Sequence, residues 1–493
     1  MIDWAAEFRH PNWAHQAKEF EEHKDSVARA LHWQMRTGKT KAMIDLACYL
    51  FRTGKIDGVL IAAPNNVHAN WPRKELPKHH WLTVPYVAMA WSSEESKRPQ
   101  YDFDFVQAVN DKTRMFWFAV NAEAMAQPRA KEYIKAFCKR RRFLLITDES
   151  HDWRRSSSKR SAFLRNVVAR KAAVRRNLSG TMVENSPFHA YAQYEILEKG
   201  ALGFTTVGDF EKFFGVWEKE IIYQGGRPRE IPKCVEYQNQ DVLRERMAAW
   251  TSYVYRDEVD DMPDLVEGVL EFELQGQQKR IYNELAKGGL VKLDGGEYLG
   301  EAEGGVLITR LQQVASGWIV DEDGEVHDLL PIEENPRLLA LRSELALAGP
   351  KTVVWCRFRE DIVRVREACK SWGYKPVDYY GGTPKKLRPV HEDRFQRDPT
   401  CGPMVANAQT CGQGLDFSAG SHMVYYSHTH GDLIGRRQSA ERCTQKGGRS
   451  IGVTDLVARG SVDEKILEDQ QQKVETTDYL TGEGLRRFLE TIL

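Results

Sequence analysis

Apolar residues in this chain come in short unbroken runs, each closed by Gly, Pro, Asn or a charge. VLIAAP (59–64), MFWFAV (115–120) and FLLIT (143–147) fall in the first half. TVVWC (352–356), MVANA (404–408), HMVYYS (422–427) and VTDLVA (453–458) fall in the second. Runs that are apolar at successive positions predict strands buried on both faces, as in a parallel sheet covered by helices. Helical spacing lies between them, in KAMIDLACYLFR (41–52) and DIVRVREACKSW (361–372). Strand and helix alternate in both halves, which predicts an α/β fold in two parallel-sheet domains.

The middle of the chain breaks this pattern. Residues 185–260 are aromatic and mixed in charge without strand alternation, and 268–346 read as helical around a Gly-rich patch at 288–305. They are expected to be helical insertions and connectors. The division expected is 1–255, with a helical insertion near 190–255, and 256–493, with a connector and helical insertion to about 345. No wedge hairpin or accessory nucleic-acid domain is visible in the sequence.

Composition narrows the class. At 493 residues with 42% hydrophobic and 28% charged positions, the chain can bury more than one core, which excludes disorder as its main state. The 70 basic and 70 acidic residues balance, so any claim of nucleic-acid binding must rest on local charge. No apolar run is long enough for a membrane span and no leader is visible, so a cytoplasmic protein is expected. Eight cysteines include no CxxC pair; reduced thiols and no zinc are expected. One charge run stands out: Arg154, Arg155, Lys159, Arg160, Arg165, Arg170, Lys171, Arg175 and Arg176, with no acid between them. It reads equally as a solvated face or as a track for a phosphate backbone.

Four segments carry chemistry. MRTGKT (Met35, Arg36, Thr37, Gly38, Lys39, Thr40) opens an amphipathic helix, whose N-terminal N–H groups suit a phosphate. Lys39 would neutralise β- and γ-phosphates and Thr40 would hold Mg²⁺. The full phosphate-loop pattern has Gly at position 33, where this chain has Trp33. ITDESHD (146–152) follows a predicted strand, so Asp148 can reach that Mg²⁺ and Glu149 can deprotonate the attacking water. NLSGTMVENSP (177–187) offers small hydroxyl residues that could sense the nucleotide. In the second half, QTCGQGLDF (409–417) carries Gly412 and Gly414 for a close backbone approach to phosphate. RRQSAERCTQKGG (436–448) places Gln438 and Arg442 four apart, on one helical face. Arg442 there would act as an arginine finger.

The order of these segments resembles the superfamily-two helicases, and within them the SWI/SNF-like double-stranded DNA translocases. Gln16 stands where that family has an adenine-reading glutamine. MRTGKT is similar to its phosphate loop, VLIAAPNNVHANWPRKEL (59–76) to its next motif, and VNAEAM (120–125) to the one after. DESH is similar to a DEAH-type box and LSGTMVENSPFHAY to the third motif. YRDEVDDMP (255–263) and QQKRIYNEL (277–285) resemble the connector between lobes, and YYGGTPKKLRPVHEDRFQRDP (379–399) the segment before motif five. QGLDF and RQSAER resemble motifs five and six, and GSVDEKILEDQQQK (460–473) a brace helix. The chain departs from the pattern where Arg36 replaces Gly, Met182 replaces Pro, Asp416 replaces Asn and Gln445 replaces a second Arg. Arg437 and Lys446 are candidates to supply that missing charge.

The resemblance implies two RecA-like parallel-sheet lobes with short helical insertions, and ATP with Mg²⁺ in the cleft between them. Lobe one would supply Gln16, Lys39, Thr40, Asp148 and Glu149; lobe two would supply Gln438, Arg442, Gly414 and Asp416. Asn70, Trp71, Arg154, Arg155, Lys159, Thr181 and Gly412 would lie near the backbone of duplex or branched DNA, with little sequence specificity. The implied function is an ATP-dependent DNA motor, possible partners being replication or recombination proteins. The alternatives are a strand-separating DNA or RNA helicase and a nucleic-acid scaffold with a lapsed ATPase. A bacterial or phage-infected cell is the expected setting.

Overall fold

Seven parallel strands organise the first half of the chain. The structure is a computed structural model that describes residues 3–470, except 66, 155, 157, 181–185, 225–226, 288–290, 293–297, 300–303, 322, 385, 409–414, 430–432, 445–446 and 469. It divides into two compact units, residues 1–259 and a second beginning at residue 260. No helix among the described residues is long and apolar enough to cross a membrane.

Lobe one is built on β1 (Ala28–Trp33), β2 (Gly58–Ala63), β3 (Tyr86–Ala90), β4 (Met115–Asn121), β5 (Phe143–Asp148) and β6 (Val174–Ser179). An edge strand after the insertion, Thr251–Val254, joins them, and the spatial order is β3-β4-β2-β5-β6-β1 and then that edge strand. The apolar runs form the central strands because helices cover both faces. Leu60, Phe116, Phe118 and Leu145 pack under the helices Pro99–Asn110 and Pro128–Arg140, through residues such as Phe105 and Phe137. Each such side chain contributes about 1.5–3 kcal/mol of burial. Two helices flank β1: α1 (Ala14–His23) before it and α2 (Lys39–Arg52) after it.

The sheet also recruits strands that hydrophobicity alone conceals. β6 reads VRRNLS, yet it is buried throughout. Arg176 is 1% exposed and donates to the carbonyls of His23 (3.0 Å), Ser26 (2.8 Å) and Arg175 (2.9 Å). The cation is solvated by peptide oxygens, which ties the end of α1 to the sheet. Arg175 reaches Glu198 at 3.0 Å.

The region near 190–255 is not wholly helical. Helices His189–Leu197, Val207–Phe214 and Gln240–Ala248 pack on Ala28 and Ala30 of β1. Between them stands a two-stranded antiparallel ribbon, β7 (Gly215–Gln224) and β8 (Arg227–Tyr237), forming a sheet of its own. Phe188 anchors its base, stacked on Trp217 at 5.6 Å and edge-on to Tyr237 at 5.4 Å. The edge strand Thr251–Val254 is β9.

Lobe two is a six-stranded parallel sheet. The connector supplies its edge strand, β10 (Leu265–Phe272), in parallel register with the last strand from Leu265↔Ile451 to Phe272↔Ala458. Two small hairpins follow: β11 (Val291–Lys292) with β12 (Tyr298–Leu299), and β13 (Trp318–Val320) with β14 (Val326–Asp328). The remaining strands are β15 (Thr352–Trp355), β16 (Val377–Tyr379), β17 (Met404–Ala406), β18 (His422–Tyr425) and β19 (Ile451–Ala458). Their order is β10-β19-β18-β15-β17-β16. Val353 and Trp355 face one core and Val354 and Cys356 the other, which is why the run TVVWC is apolar without a break.

The segment from residue 460 is fastened into lobe two. Val462 and Ile466 pack on Ile281, Leu285 and Val314, and the Val462 N–H donates to the Tyr282 hydroxyl at 2.7 Å. Asp463 is fully buried against Arg337, which is 1% exposed and also donates to the Tyr426 carbonyl at 2.5 Å. Breaking a buried pair leaves a charge without compensation. Arg337→Met is therefore expected to destabilise lobe two by about 3–5 kcal/mol in urea unfolding. Adding Asp463→Leu is expected to restore a substantial part of the loss.

Candidate functional site

The site in lobe one is set by register. Asp148, the last residue of β5, pairs with Leu178 of β6, and Leu178 pairs with Leu31 of β1. The segments that leave β1, β6 and β5 therefore emerge side by side at one end of a parallel sheet, where ligands of such sheets bind.

The first of these is the phosphate loop. Arg36 takes a left-handed φ of 62°, the conformation that Gly would adopt without strain. Gly38 caps α2 with φ 85°, and a Cβ there would overlap the Gln16 amide. Gln16 is 2% exposed; its Oε1 accepts from Trp13 N at 2.9 Å and its Nε2 donates to the Gly38 carbonyl at 3.1 Å. His15 Nε2 lies 2.8 Å from the Thr37 carbonyl, and the Thr37 hydroxyl donates to the Gln34 carbonyl at 2.7 Å. Lys39 is folded back on the loop, donating to the carbonyls of Trp33 (2.6 Å) and Gln34 (3.1 Å). Trp33 is wholly buried, with its indole on Ser252 at 2.7 Å, so the position that departs from the phosphate-loop pattern ends a strand and anchors the lysine. Met35 lies beside Gly180, within 3.4 Å of where a Cβ would sit.

The second is the acidic pair. Asp148 and Glu149 are both buried, and Glu149 has a left-handed φ of 51°. Burial, then the neighbouring Glu149, raises the Asp148 carboxyl to about 6. The Trp71 indole N–H, donating to Asp148 Oδ2 at 3.0 Å, and the nearby Lys39 partly oppose that rise. His151 Nδ1 lies 3.4 Å from Glu149 Oε2 and 3.3 Å from the Ser179 hydroxyl, which joins the acidic pair to the end of β6. Positive φ at Arg36 and at Glu149 places backbone strain on both sides of the site, as functional loops commonly do.

A hydroxyl and a carboxylate are hard oxygen donors suited to Mg²⁺. Thr40, in the first turn of α2, and Asp148 are of that kind, and a buried carboxylate beside a second one is a place a cation would relieve. The residues present therefore fit the group.

Not every expected residue lies where the sequence suggested. Trp71 is 1% exposed and stacked on Trp117 at 6.4 Å, so its indole serves Asp148 and is not a surface contact. The resemblance placed Trp71 near the DNA backbone; its indole satisfies a buried carboxylate instead. Asn70 is half-buried in the turn before it. Lys159 is exposed and Arg154 half-buried, whereas Arg155, Thr181, Gly412 and Gly414 lie outside the described residues, as do Gln445 and Lys446. The basic run is divided: Arg175 and Arg176 are buried in β6, Lys159 and Lys171 are exposed, and Arg154, Arg160, Arg165 and Arg170 are half-buried. Arg160 bonds the Asp152 carbonyl at 3.2 Å, Arg165 the Ser156 carbonyl at 3.4 Å, and Arg170 the Arg165 carbonyl at 3.1 Å.

In lobe two, Arg442 is 5% exposed; its Nη1 donates to the Leu415 carbonyl at 3.4 Å, and its own carbonyl accepts from Phe417 N at 3.2 Å. The segments expected as motifs five and six are thus joined. Asp416 is exposed, with its carboxylate turned to Ser418 N at 3.1 Å. Gln438 is half-buried on the helix Leu433–Ala440. Arg436 is held by both oxygens of Asp455 at 2.6 Å.

A phosphate loop after β1 and an acidic pair at the end of β5, on the two strands that flank β6, define the class of α/β proteins built to hold a nucleoside triphosphate. The chain belongs to the SNF2-related domain family, whose model matches residues 22–315. It is similar to the DNA repair and recombination protein RDH54 of Saccharomyces cerevisiae (strain AWRI1631), 21% identical over 467 residues, which cover 89% of this chain and 48% of that protein. It is also similar to Helicase SWR1 of Candida albicans, 19% identical over 149 residues, covering 30% of this chain and 9% of that protein. The chain thus spans about half the length of the RDH54 relatives. Among solved structures, the Sulfolobus solfataricus SWI2/SNF2 ATPase core in complex with dsDNA aligns over 97% of this chain and 95% of that chain, at 15% identity and a TM-score of 0.41.

The raised Asp148 pKa has a sign that can be tested. The folded protein holds this proton above the unfolded value of 3.8, so stability falls as pH rises from there to about 6 and stays lowered above. Asp148→Asn removes the penalty. At pH 7.5 it is expected to stabilise the fold by about 1–3 kcal/mol in chemical denaturation, with no gain at pH 3.5.

Proposed function

We propose that the protein is an ATP-dependent DNA motor that moves along or remodels duplex or branched DNA. The observation that carries this reading is the row at the ends of β1, β6 and β5: Lys39 on the loop carbonyls, Ser179 beside His151, and Asp148 with Glu149. The names of the relatives, a recombination protein and a helicase, support DNA as the substrate.

In this reading the triphosphate meets the N-terminus of α2, and Lys39 exchanges two carbonyls for phosphate oxygens. Thr40 and Asp148 would hold Mg²⁺, which would neutralise phosphate charge. Glu149 takes the proton of the attacking water, and His151 keeps Glu149 in register with Ser179. The family pattern assigns Gln438, Arg442, Gly414 and Asp416 to the same reaction, and Gln16 to the base. Arg154, Arg155, Lys159, Asn70, Thr181 and Gly412 are assigned to the DNA backbone. Replication or recombination proteins as partners, and a cytoplasmic setting in a bacterial or phage-infected cell, belong to the same proposal.

Strand separation is the second reading. The β7–β8 ribbon favours it, being a hairpin of 10- and 11-residue strands that no other strand pairs with among the described residues. The sequence pattern concealed it behind mixed charge.

Steady-state ATP hydrolysis with duplex, single-stranded and forked DNA and with RNA tests the proposal. Stimulation by duplex or fork, lost by about a hundredfold or more in Lys39→Ala, is expected. Stimulation by single strands or RNA alone would shift the reading to the strand-separating helicase; no hydrolysis under any condition would end both. Charge reversal at Arg154 and Lys159 is expected to raise the DNA concentration for half-stimulation severalfold and to flatten its salt dependence. An unchanged curve would remove these residues from the track.

A further inference from the structure

Two fully buried tryptophans, Trp71 and Trp81, each donate an indole N–H to a buried carboxylate of lobe one. Trp71 donates to Asp148 Oδ2 at 3.0 Å. Trp81 donates at 2.8 Å to Asp45 Oδ1 on α2, one turn after the phosphate loop, and Asp45 also takes Lys41 at 2.7 Å. From Trp71 the chain is helical to His79, Trp71–Glu75 and then Leu76–His79, and His80 is extended before Trp81. Trp117 packs on Trp71 and its indole lies 3.3 Å from His80 Nε2. The stretch 71–81 is therefore bolted at one end to the proposed metal carboxylate and at the other to the phosphate-loop helix.

The turn that feeds this stretch leaves β2, and β2 is the register neighbour of β5, with Ala62 opposite Thr147. The turn is partly open to solvent: Asn70 is half-buried. Asn70 is bonded to Trp71 in sequence, so a load on the turn reaches the indole within one residue. The indole has little slack, because it is enclosed and stacked. A shift of about 0.5 Å would carry a 3.0 Å bond to the limit of hydrogen bonding.

We propose that Trp71 is a positioning residue through which the 67–70 turn sets the Asp148 carboxylate, so that DNA on the turn tightens the metal site. The proposal rests on the reading of Asp148 as a metal ligand and of Asn70 as a DNA contact. The carboxylate has one oxygen fixed by Trp71, and the fixed oxygen determines how the group presents to a cation. DNA that presses on the turn would hold this bond in place, and its loss would leave the carboxylate with the Glu149 backbone N–H as its remaining donor.

Trp71→Phe keeps an aromatic ring against Trp117 and deletes the N–H. The measurement is Mn²⁺ binding to the full chain with ADP, by electron paramagnetic resonance, with and without duplex DNA. In the native protein, DNA is expected to tighten Mn²⁺ severalfold. In Trp71→Phe, Mn²⁺ affinity is expected to fall about tenfold and the DNA response to vanish, with DNA affinity and melting temperature near native. Trp81→Phe frees the far end without touching Asp148. It is expected to keep native Mn²⁺ affinity and to lose most of the DNA response, and it decides the matter should Trp71→Phe not fold. Native Mn²⁺ affinity and DNA response in both variants would overturn the lever. Asp148→Asn separates this from failure of the underlying reading: if it retains Mn²⁺, Asp148 is not the ligand and the lever falls with it. If it loses Mn²⁺ while Trp71→Phe behaves as native, the lever alone falls.

Discussion

A carboxylate held out of water at the end of a central strand is the constraint on which lobe one depends. Asp148 sits where β5 leaves the sheet, and burial with Glu149 beside it disfavours its charge. Such a group is tolerated where its surroundings are built for it. The surroundings here are the Trp71 indole, the Lys39 ammonium and the two strands in register with β5. The fold thus holds a destabilised group where a cation and a triphosphate would relieve it, and ligand binding and fold stability become linked at one atom pair.

Arginine solves a related problem elsewhere in the chain. Arg176 inside a strand and Arg141 at the end of a helix each spread a charge over backbone carbonyls contributed by separate segments, and Arg337 in lobe two divides its charge between the Tyr426 carbonyl and the Asp463 carboxylate. Arg141 is 4% exposed and bonds the Asp57 carbonyl at 3.0 Å. A guanidinium has five donors in a rigid fork, so one side chain can close several carbonyls that a loop would otherwise bury without partners. Arg141, Arg175 and Arg176 are thus architectural, whereas Lys139, Arg140, Arg142, Lys159 and Lys171 stay exposed.

The motifs were legible because each joins an unusual residue order to a predicted strand end. MRTGKT before a helical pattern and DESH after FLLIT are weak signals singly and gain their meaning from occurring together, and the structure places both at the same end of one sheet. Trp71 shows the opposite case. The resemblance set it beside DNA, whereas the stack on Trp117 and the bond to Asp148 join residues far apart in sequence. The β7–β8 ribbon was likewise hidden, because an exposed ribbon carries no apolar run; its strands are rich in Glu, Lys and Arg and are defined by pairing with each other.

The sequence by itself determined the class of fold, the strands that are apolar on both faces and the identities of the phosphate-loop and acidic residues. These follow from local periodicity and from side-chain chemistry, which a linear reading retains. The tertiary structure alone decided strand order, the burial of charged strands such as β6, the joining of the connector to lobe two as β10, and the partners of Asp148. Those depend on register between distant segments and on which carbonyls surround a given cation. Neither quantity has a signature in a short window of sequence, because both are set by packing energies that exist only once the sheets have formed.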